Sequence, residues 1–222
     1  KTLSTYQERI NNGAIIKTIN ATSPIQLNFD TKNLIHERFF NSETKRILFI
    51  SGSGLVHKGL DLVLEAIKDL KSSKIELHVM GPYENDFFKP LKNLVSKINI
   101  FHHGFMNLKS LPARKIIESC HFLISPSCSE GQSTSVLTGM TCGLIPIITE
   151  ECGINIDENS YLLKSLSSNE IAQALDNALS LNFNKYKYKS EYSLELVKKN
   201  HQIENFRDNI EKFLYDFDFY DF

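Results

Sequence analysis

The feature that most constrains the fold of this chain is a regular alternation of short apolar runs with longer segments that carry one apolar face. The apolar runs have the length of buried strands and occupy residues 46–50, 75–80, 99–104, 121–124 and 145–148. Between them, apolar residues recur at helical spacing, as in the segment 60–70. Strands that alternate with helices predict an α/β fold with a parallel sheet covered on both faces.

The remaining segments complete this outline. Helices are predicted at 91–98, 111–119, 136–144, 167–179, about 188–199 and 202–215. Gly143 is the expected C-terminal stop of the helix at 136–144. The run from Ser167 to Glu170 has the form of a capping box. Residues 1–40 carry mixed signals, with a short strand predicted around Ile15, Ile16 and Ile19.

Composition excludes several classes of function. The 222 residues suffice for one well-packed domain with a tail, and the formal net charge of -1 gives no reason to expect nucleic acid as a partner. No apolar run reaches membrane-spanning length and the N-terminus does not resemble a signal peptide, so we expect a cytoplasmic protein. The chain begins with Lys1, which fits either a processed protein or a fragment.

Cysteine and histidine usage gives no sign of a metal site. The four cysteines are Cys120, Cys128, Cys142 and Cys152, and they form no C-x-x-C pair. No histidine cluster stands at the spacing of metal ligands. We therefore expect reduced thiols in or near the core, and neither a metal nor a cofactor.

Chemistry in a parallel α/β sheet is expected at one edge, because ligands bind outside the carboxyl ends of the strands. The loops that follow the predicted strands are 51–58, 81–86, 104–108 and 125–135. Two of them have compositions that suit anions.

The first is glycine-rich and runs from Ser51 to Gly59 between a strand and a helix. Such a turn lets backbone N–H groups approach an anion. It does not match a dinucleotide fingerprint, because His57 stands where the third glycine is required, nor a Walker loop, because Lys58 precedes Gly59. Considered alone, it fits equally a tight turn with Lys58 as a solvated surface residue.

The second loop, 125–135, passes through Glu130 and Gly131 to a small polar stretch, Gln132, Ser133, Thr134 and Ser135, that opens a helix. Free N–H groups at a helix start could bind a diphosphate, and a carboxylate could accept bonds from sugar hydroxyls. The alternative is ordinary helix capping by Ser and Thr, with Glu130 favoured by the helix dipole.

Taken in order, these loops resemble the group 1 (family 4) glycosyltransferases. Five elements of that family are matched in order and in one register over residues 45–180. They are "KG-D" at 58–61, the strand-then-Gly element at 78–81, "v-x-x-x-G-f" at 100–105, "PS-x-x-EG" within 122–131 and "ma-x-G-x-PVi" at 140–148. The resemblance implies a Rossmann-like doubly wound parallel sheet, the C-terminal half of a GT-B fold.

The resemblance also implies a division of the chain and roles for residues. Residues 1–40 would be a linker or a remnant of a preceding domain, 41–200 the nucleotide-sugar-binding domain, and 201–222 a C-terminal helix and tail packing toward an absent N-terminal domain. Lys58 and Glu130 would be catalytic, with Lys58 at the donor diphosphate and Glu130 at donor-sugar hydroxyls. The donor-binding set would be Ser53, Gly54, Gly81, Phe105, Gly131, Gln132, Ser133, Thr134, Ser135 and Thr138.

Two positions depart from the family pattern. Ser53 stands where the family usually has an arginine, and Thr138 stands where it has a second glutamate, eight positions after Glu130. A hydroxyl can bond a ribose, but it is a weaker acceptor than a carboxylate. We expect a divergent but active relative, because Lys58, Glu130 and the serine-rich turn remain together.

The implied reaction moves a sugar from a nucleotide-sugar, such as a UDP- or GDP-sugar, to an acceptor hydroxyl, with retention. The acceptor would be a glycan or lipid-linked molecule, in polysaccharide or glycoconjugate biosynthesis, and the protein could sit peripherally at the inner membrane through the absent domain. The chain alone would be inactive, because the cleft needs both domains. The alternatives are a sugar-nucleotide epimerase of GT-B architecture and a non-catalytic nucleotide-sugar-binding module.

Overall fold

A six-stranded parallel sheet forms the centre of the computed structural model, which describes residues 18–25, 31–70, 74–96 and 98–215. The strands are β1 (Lys45–Ile50), β2 (Ile75–Met80), β3 (Ile100–His102), β4 (Phe122–Ser125), β5 (Ile145–Thr149) and β6 (Tyr161–Leu163). Their order across the sheet is β3-β2-β1-β4-β5-β6. The predicted doubly wound α/β class is confirmed.

The central strands are buried on both faces, which explains their continuous apolar sequences. Every residue of β4 and β5 is buried, and β1 pairs with β4 through Ile47 opposite Phe122. The chain order reverses between these two neighbours, and the helices that follow β1 and β4 lie in different core clusters, an arrangement that places a binding crevice at the carboxyl ends of these strands.

Helices cover both faces of the sheet. They are α1 (Thr31–Phe40), α2 (Leu60–Asp69), α3 (Asn85–Phe88), α4 (Lys92–Val95), α5 (Leu111–Ser119), α6 (Thr134–Thr141), α7 (Ser168–Leu179), α8 (Phe183–Asn200) and α9 (Ile203–Tyr215). One core cluster contains apolar residues of α2 and α7, and the other contains apolar residues of α5 and α6. Burying these stripes is the main favourable contribution to folding.

Local signals in the sequence place several helix ends correctly. The Ser167 hydroxyl accepts the N–H of Glu170, which is one half of the predicted capping box, while the Glu170 carboxylate accepts from the Lys164 N–H and the Ser165 hydroxyl. Gly143 follows α6 with a φ of 71°, the left-handed conformation expected of a C-terminal glycine. The helix predicted at 91–98 is wrong in extent: α4 is shorter, and Pro90, which has no N–H to donate, separates it from α3.

Three elements were not predicted: the edge strand β6 and the helices α1 and α3. Helix α1 lies in the segment assigned to a linker, and its Ile35 is buried in the first core cluster. Of the strand predicted around Ile15, Ile16 and Ile19, the first two residues lie outside the described residues, as does the tail 216–222, and Ile19 is not in a strand. The division into 1–40, 41–200 and 201–222 stays a prediction.

The amino ends of the strands are closed by α1. The Arg38 guanidinium donates to the carbonyl oxygens of Glu118 and Cys142, which lie in or just after the last turns of α5 and α6. His121 Nε2 donates to the Arg38 carbonyl at 2.8 Å, and its Nδ1 accepts the N–H of Arg46. Burial lowers the pKa of His121 to about 3, so the ring is neutral at pH 7.

Candidate functional site

The glycine-rich loop after β1 and the polar loop after β4 touch each other along their backbones. The Cys128 N–H donates to the His57 carbonyl at 3.0 Å. Gly59 has a φ of 76°, and a Cβ at this position would stand 2.5 Å from the carbonyl oxygen of Pro126. Only glycine satisfies both the conformation and the close approach, so Gly59 sets the distance between the loops.

An ion pair between Lys58 Nζ and Glu130 Oε1 joins the two loops. The side chains retain exposures of 16% and 17%, so both are largely shielded but can still be reached from solvent. The two residues predicted to be catalytic are therefore in direct contact. A cation and a carboxylate held side by side at this crevice can bind an anion and a hydroxyl-bearing group respectively.

The Glu84 carboxylate binds backbone N–H groups of the glycine-rich loop, a contact that the sequence did not predict. Its carboxylate accepts the N–H of Gly54 at 2.8 Å and the N–H of Leu55 at 3.5 Å. Gly54 has a φ of 68°, and the His57 ring packs against it so closely that a Cβ would overlap the ring. Ser53 lies next to this contact and is exposed. The loop N–H groups that were expected to bind a ligand anion therefore already bind the Glu84 carboxylate.

The turn 131–135, which we call the donor turn, places Gly131 and Thr134 at the surface. Ser133 is buried, its N–H donates to the Cys152 carbonyl at 2.9 Å, and its hydroxyl lies 3.0 Å from that of Ser135. The Ser133 N–H is therefore engaged within the protein.

The Gln132 side chain is also engaged within the protein. Its Oε1 accepts the N–H of Ala21, and its Nε2 donates to the carbonyl of Gly153 at 3.0 Å and to Asn20 Oδ1 at 3.3 Å. No local sequence signal links Gln132 with residues 20–21, because the contact spans more than a hundred positions.

Three further predicted donor-binding residues lie apart from the ion pair. Thr138 is fully buried, and its hydroxyl donates to the Thr134 carbonyl at 2.8 Å, so a ribose contact would require that bond to break. The Gly81 N–H donates to the carbonyl of Gly104 at 2.9 Å, which sets Gly81 beside Phe105 at the ends of β2 and β3. Phe105 is 75% exposed, the state expected of a ring available for stacking on a base.

A line of hydrogen-bonded polar side chains crosses the sheet from β1 toward the end of β3. Arg46 pairs with Glu76 at 2.7 Å, Glu76 contacts His78, and His78 Nδ1 lies 3.0 Å from His103 Nε2. Burial lowers the pKa of His78 and of His103, so both rings are neutral at pH 7. These neighbours orient His103 immediately before Gly104.

Within the ranges given above, no group of three or more His, Cys, Asp and Glu side chains is arranged to hold a metal ion. No described helix combines the length and apolar character needed to span a bilayer. All four cysteines are free; Cys128 is exposed, while burial raises the pKa of Cys120 and Cys142 to about 12 and also that of Cys152.

Comparison with known proteins decides the family. The family of glycosyl transferases group 1 matches residues 31–196, a stretch that contains both loops and the ion pair. This chain belongs to that family. The predicted resemblance is confirmed.

Individual relatives agree with this assignment but extend further than the chain. An uncharacterised glycosyltransferase of Methanocaldococcus jannaschii is 30% identical over 124 residues, which cover 51% of this chain and 34% of that protein. A glycosyltransferase from Rickettsia africae superimposes with a TM-score of 0.70 at 18% identity, covering 89% of this chain and 56% of that one.

A third relative was solved with ligands. The Anabaena protein HepE, in complex with UDP and glucose, superimposes with a TM-score of 0.71 at 13% identity, covering 90% of this chain and 57% of that one. At such identities the structural likeness establishes the fold alone. The chain spans about a third of the curated relative and a little over half of these two structures.

Proposed function

We propose that this chain is the nucleotide-sugar-binding domain of a retaining glycosyltransferase. The single observation that carries the proposal is the Lys58–Glu130 ion pair, which lies where the two loops meet at the carboxyl ends of β1 and β4. Family membership supports the transferase chemistry, and the complex of HepE with UDP and glucose supports a nucleotide-sugar as the donor.

In this proposal Lys58 exchanges its internal carboxylate for the donor diphosphate. The bond between the anomeric carbon and the phosphate oxygen breaks, a new bond forms from the anomeric carbon to the acceptor hydroxyl oxygen, and the leaving phosphate oxygen of the nucleoside diphosphate takes up the hydroxyl proton. Lys58 stabilises the charge that develops on the leaving phosphate. Glu130, released from Lys58, accepts hydrogen bonds from donor-sugar hydroxyls.

The departure at Ser53 leaves diphosphate binding to fewer groups, and the departure at Thr138 replaces a carboxylate at the ribose by a hydroxyl. Without an arginine at position 53, Lys58 and the exposed N–H groups of the donor turn carry the phosphates. We propose an active enzyme nonetheless, because Lys58, Glu130 and the donor turn are retained. The epimerase and the non-catalytic module remain the alternatives that the assay below separates.

The acceptor and the setting of the reaction are also proposals. The relatives are longer than this chain, so we propose that the acceptor site lies in the part of the family fold that this sequence does not cover. We further propose that the acceptor is a glycan or a lipid-linked molecule and that the reaction serves polysaccharide biosynthesis. The location would be cytoplasmic, with peripheral membrane contact through the part of the fold that this sequence does not cover. The chain alone should transfer sugar poorly, because the acceptor would be unpositioned and water not excluded.

The direct test is calorimetric titration of the chain with UDP, GDP and ADP. We expect one of them to bind, and Lys58→Ala to weaken that binding by about 1.5–3 kcal/mol, as for the loss of a charge-assisted contact. Lys74→Ala is the matched control, because Lys74 also pairs with a glutamate, Glu43, but lies next to the amino end of β2. Absence of binding at millimolar nucleotide, or equal effects of the two variants, would reject the assigned site.

Turnover separates the candidate activities. A transferase should slowly hydrolyse its UDP- or GDP-sugar in the longer protein even without acceptor, whereas an epimerase would release an epimer. A protein that binds the nucleotide-sugar and does neither would be a binding module.

A further inference from the structure

Gln132 stands between the donor turn and a distant part of the chain. Both hydrogens of its amide are donated, to Gly153 and Asn20, and its oxygen accepts the N–H of Ala21. An amide has two donor hydrogens and one acceptor oxygen, so each polar atom already has a protein partner. This side chain is placed to hold the donor turn rather than to donate to a donor molecule.

The same hydrogen-bonded line continues beyond Ala21. The Ala21 carbonyl accepts a hydrogen bond from His201 Nδ1 at 2.8 Å, and the Ser23 N–H donates to the His201 carbonyl at 3.4 Å. His201 is 4% exposed and occupies the junction between α8 and α9. Burial lowers the pKa of His201, so at pH 7 the ring is neutral and Nδ1 carries its hydrogen toward Ala21.

The donor turn is therefore held from two sides. On one side, the Ser133 N–H is bound to the Cys152 carbonyl, and Gly153 packs against Gly131. On the other side, Gln132 is bound to residues 20–21, which His201 holds in place. Loss of either support should let the turn fluctuate, because few other bonds fix its backbone.

We infer that His201 is a positioning residue for the donor turn, acting through Ala21 and Gln132. The junction of α8 and α9 thereby sets the conformation of the turn without touching a bound nucleotide. The consequence for nucleotide affinity rests on the proposed function, whereas the conformational role does not. Any displacement of α9 that moves His201 would be transmitted to the turn.

Amide hydrogen exchange of the full chain without nucleotide tests the conformational role. We expect His201→Leu, which removes the donor to Ala21, to accelerate exchange of the Ser133 N–H by about tenfold. Gln132→Glu, which sets a carboxylate against the Gly153 carbonyl, should do the same. His201→Asn, which can still donate, should stay within about twofold of wild type, as should His36→Leu, the matched change at an exposed histidine of α1.

The combined variant distinguishes transmission through Gln132 from general loosening. If His201 acts through Gln132, the double variant should exchange no faster than either single variant, whereas independent effects would multiply. Exchange at Leu123, in the central strand β4, should not change in any variant. Additive effects, equal acceleration at Leu123, or an unchanged Ser133 in His201→Leu would overturn the inference.

Titration with UDP, GDP and ADP then connects the line to binding. For the nucleotide that wild type binds, His201→Leu should weaken affinity about fivefold, and His201→Asn should restore it. If wild type binds none of the three, the proposed function fails while the exchange result still decides the role of His201. If wild type binds and His201→Leu accelerates exchange without weakening affinity, the turn does not serve nucleotide binding and the functional half of the inference is rejected.

Discussion

Two shielded cations stand at opposite ends of the same sheet, and they are neutralised by different kinds of partner. Arg38, 4% exposed at the amino ends of the strands, donates to the carbonyl oxygens of Glu118 and Cys142, the latter at 2.6 Å. Lys58, at the carboxyl ends, pairs with the carboxylate of Glu130. Helix-end carbonyls carry a partial negative charge and are fixed in the backbone.

The difference separates a structural cation from an exchangeable one. The backbone carbonyls around Arg38 cannot rotate away, and the Arg38 side chain is buried. A carboxylate on a glutamate side chain can rotate, and a phosphate that replaces it keeps an anion beside the lysine. Lys58 can therefore exchange Glu130 for a phosphate at little cost, and the following experiments test this contrast in decreasing order of expected effect.

Removal of Arg38 should have the largest effect on stability. Arg38→Ala leaves buried carbonyl oxygens unsatisfied and creates a cavity, so we expect a loss of about 4 kcal/mol. Urea denaturation followed by circular dichroism measures it. Arg207→Ala, at an exposed position of α9, should change stability by less than about 0.5 kcal/mol. Similar losses in the two variants would contradict the structural role.

Acid should destabilise the amino end through His121. Its folded-state pKa is lowered to about 3 from 6.5, so between these values the unfolded chain binds a proton that the folded chain does not. The contribution of neutral His121 to the free energy of unfolding is fully present above pH 6.5 and is lost as the pH decreases. The loss reaches about 2–3 kcal/mol at about pH 4.5.

The control for this pH dependence replaces the titrating ring. His121→Asn should be less stable at pH 7 but should lose less additional stability on acidification than wild type. His36→Asn, on the exposed face of α1, should retain the wild-type slope. Parallel slopes for wild type and His121→Asn would show that His121 does not cause the loss.

Glu84 should contribute a smaller amount at the carboxyl end. Glu84→Ala deprives the Gly54 and Leu55 N–H groups of their acceptor, which we expect to cost about 1 kcal/mol, and Glu84→Gln should recover part of it. The urea midpoint of each variant measures this. Glu65→Ala, at an exposed position of α2, is the control. A variant as stable as wild type would mean that the loop does not need this carboxylate.

The smallest effect should be seen at Glu130, and its sign should depend on the ligand. Glu130→Gln removes the carboxylate that competes for Lys58, so a nucleoside diphosphate should bind about threefold more tightly, or about 0.7 kcal/mol. A nucleotide-sugar should gain less or bind more weakly, because a contact to the sugar is weakened. Calorimetric titration with both ligands measures the difference, and equal tightening for both would remove Glu130 from the sugar site.

The sequence predicts an element correctly where the element carries a clear apolar pattern. It fails where the element is short or has few buried apolar residues. Strand β5 is buried throughout and its sequence is continuously apolar, whereas β6 has three residues of mixed exposure and no run long enough to recognise. Helix α1 buries only Ile35 and Arg38 among the residues whose burial is described, so its sequence lacks an apolar stripe.

The candidate site divides in the same way. The sequence could place Lys58 and Glu130 near each other, because both follow strands whose carboxyl ends meet at one edge of the sheet. Glu84 could not be found, because its contact with the Gly54 N–H depends on how two loops fold back on each other. The hydrogen-bonded line from His201 to Gln132 spans most of the chain and follows no motif.

The close approach of Gly153 to Gly131 separates a position that tolerates substitution from one that does not. Any side chain at position 153 would overlap the carbonyl oxygen of Gly131, and its φ of 69° disfavours other residues as well, so this position is closed to substitution. A Cβ at Gly131 would meet nothing within 4 Å. Under the proposed function, libraries that aim to change sugar preference should therefore diversify position 131 and leave 153 untouched.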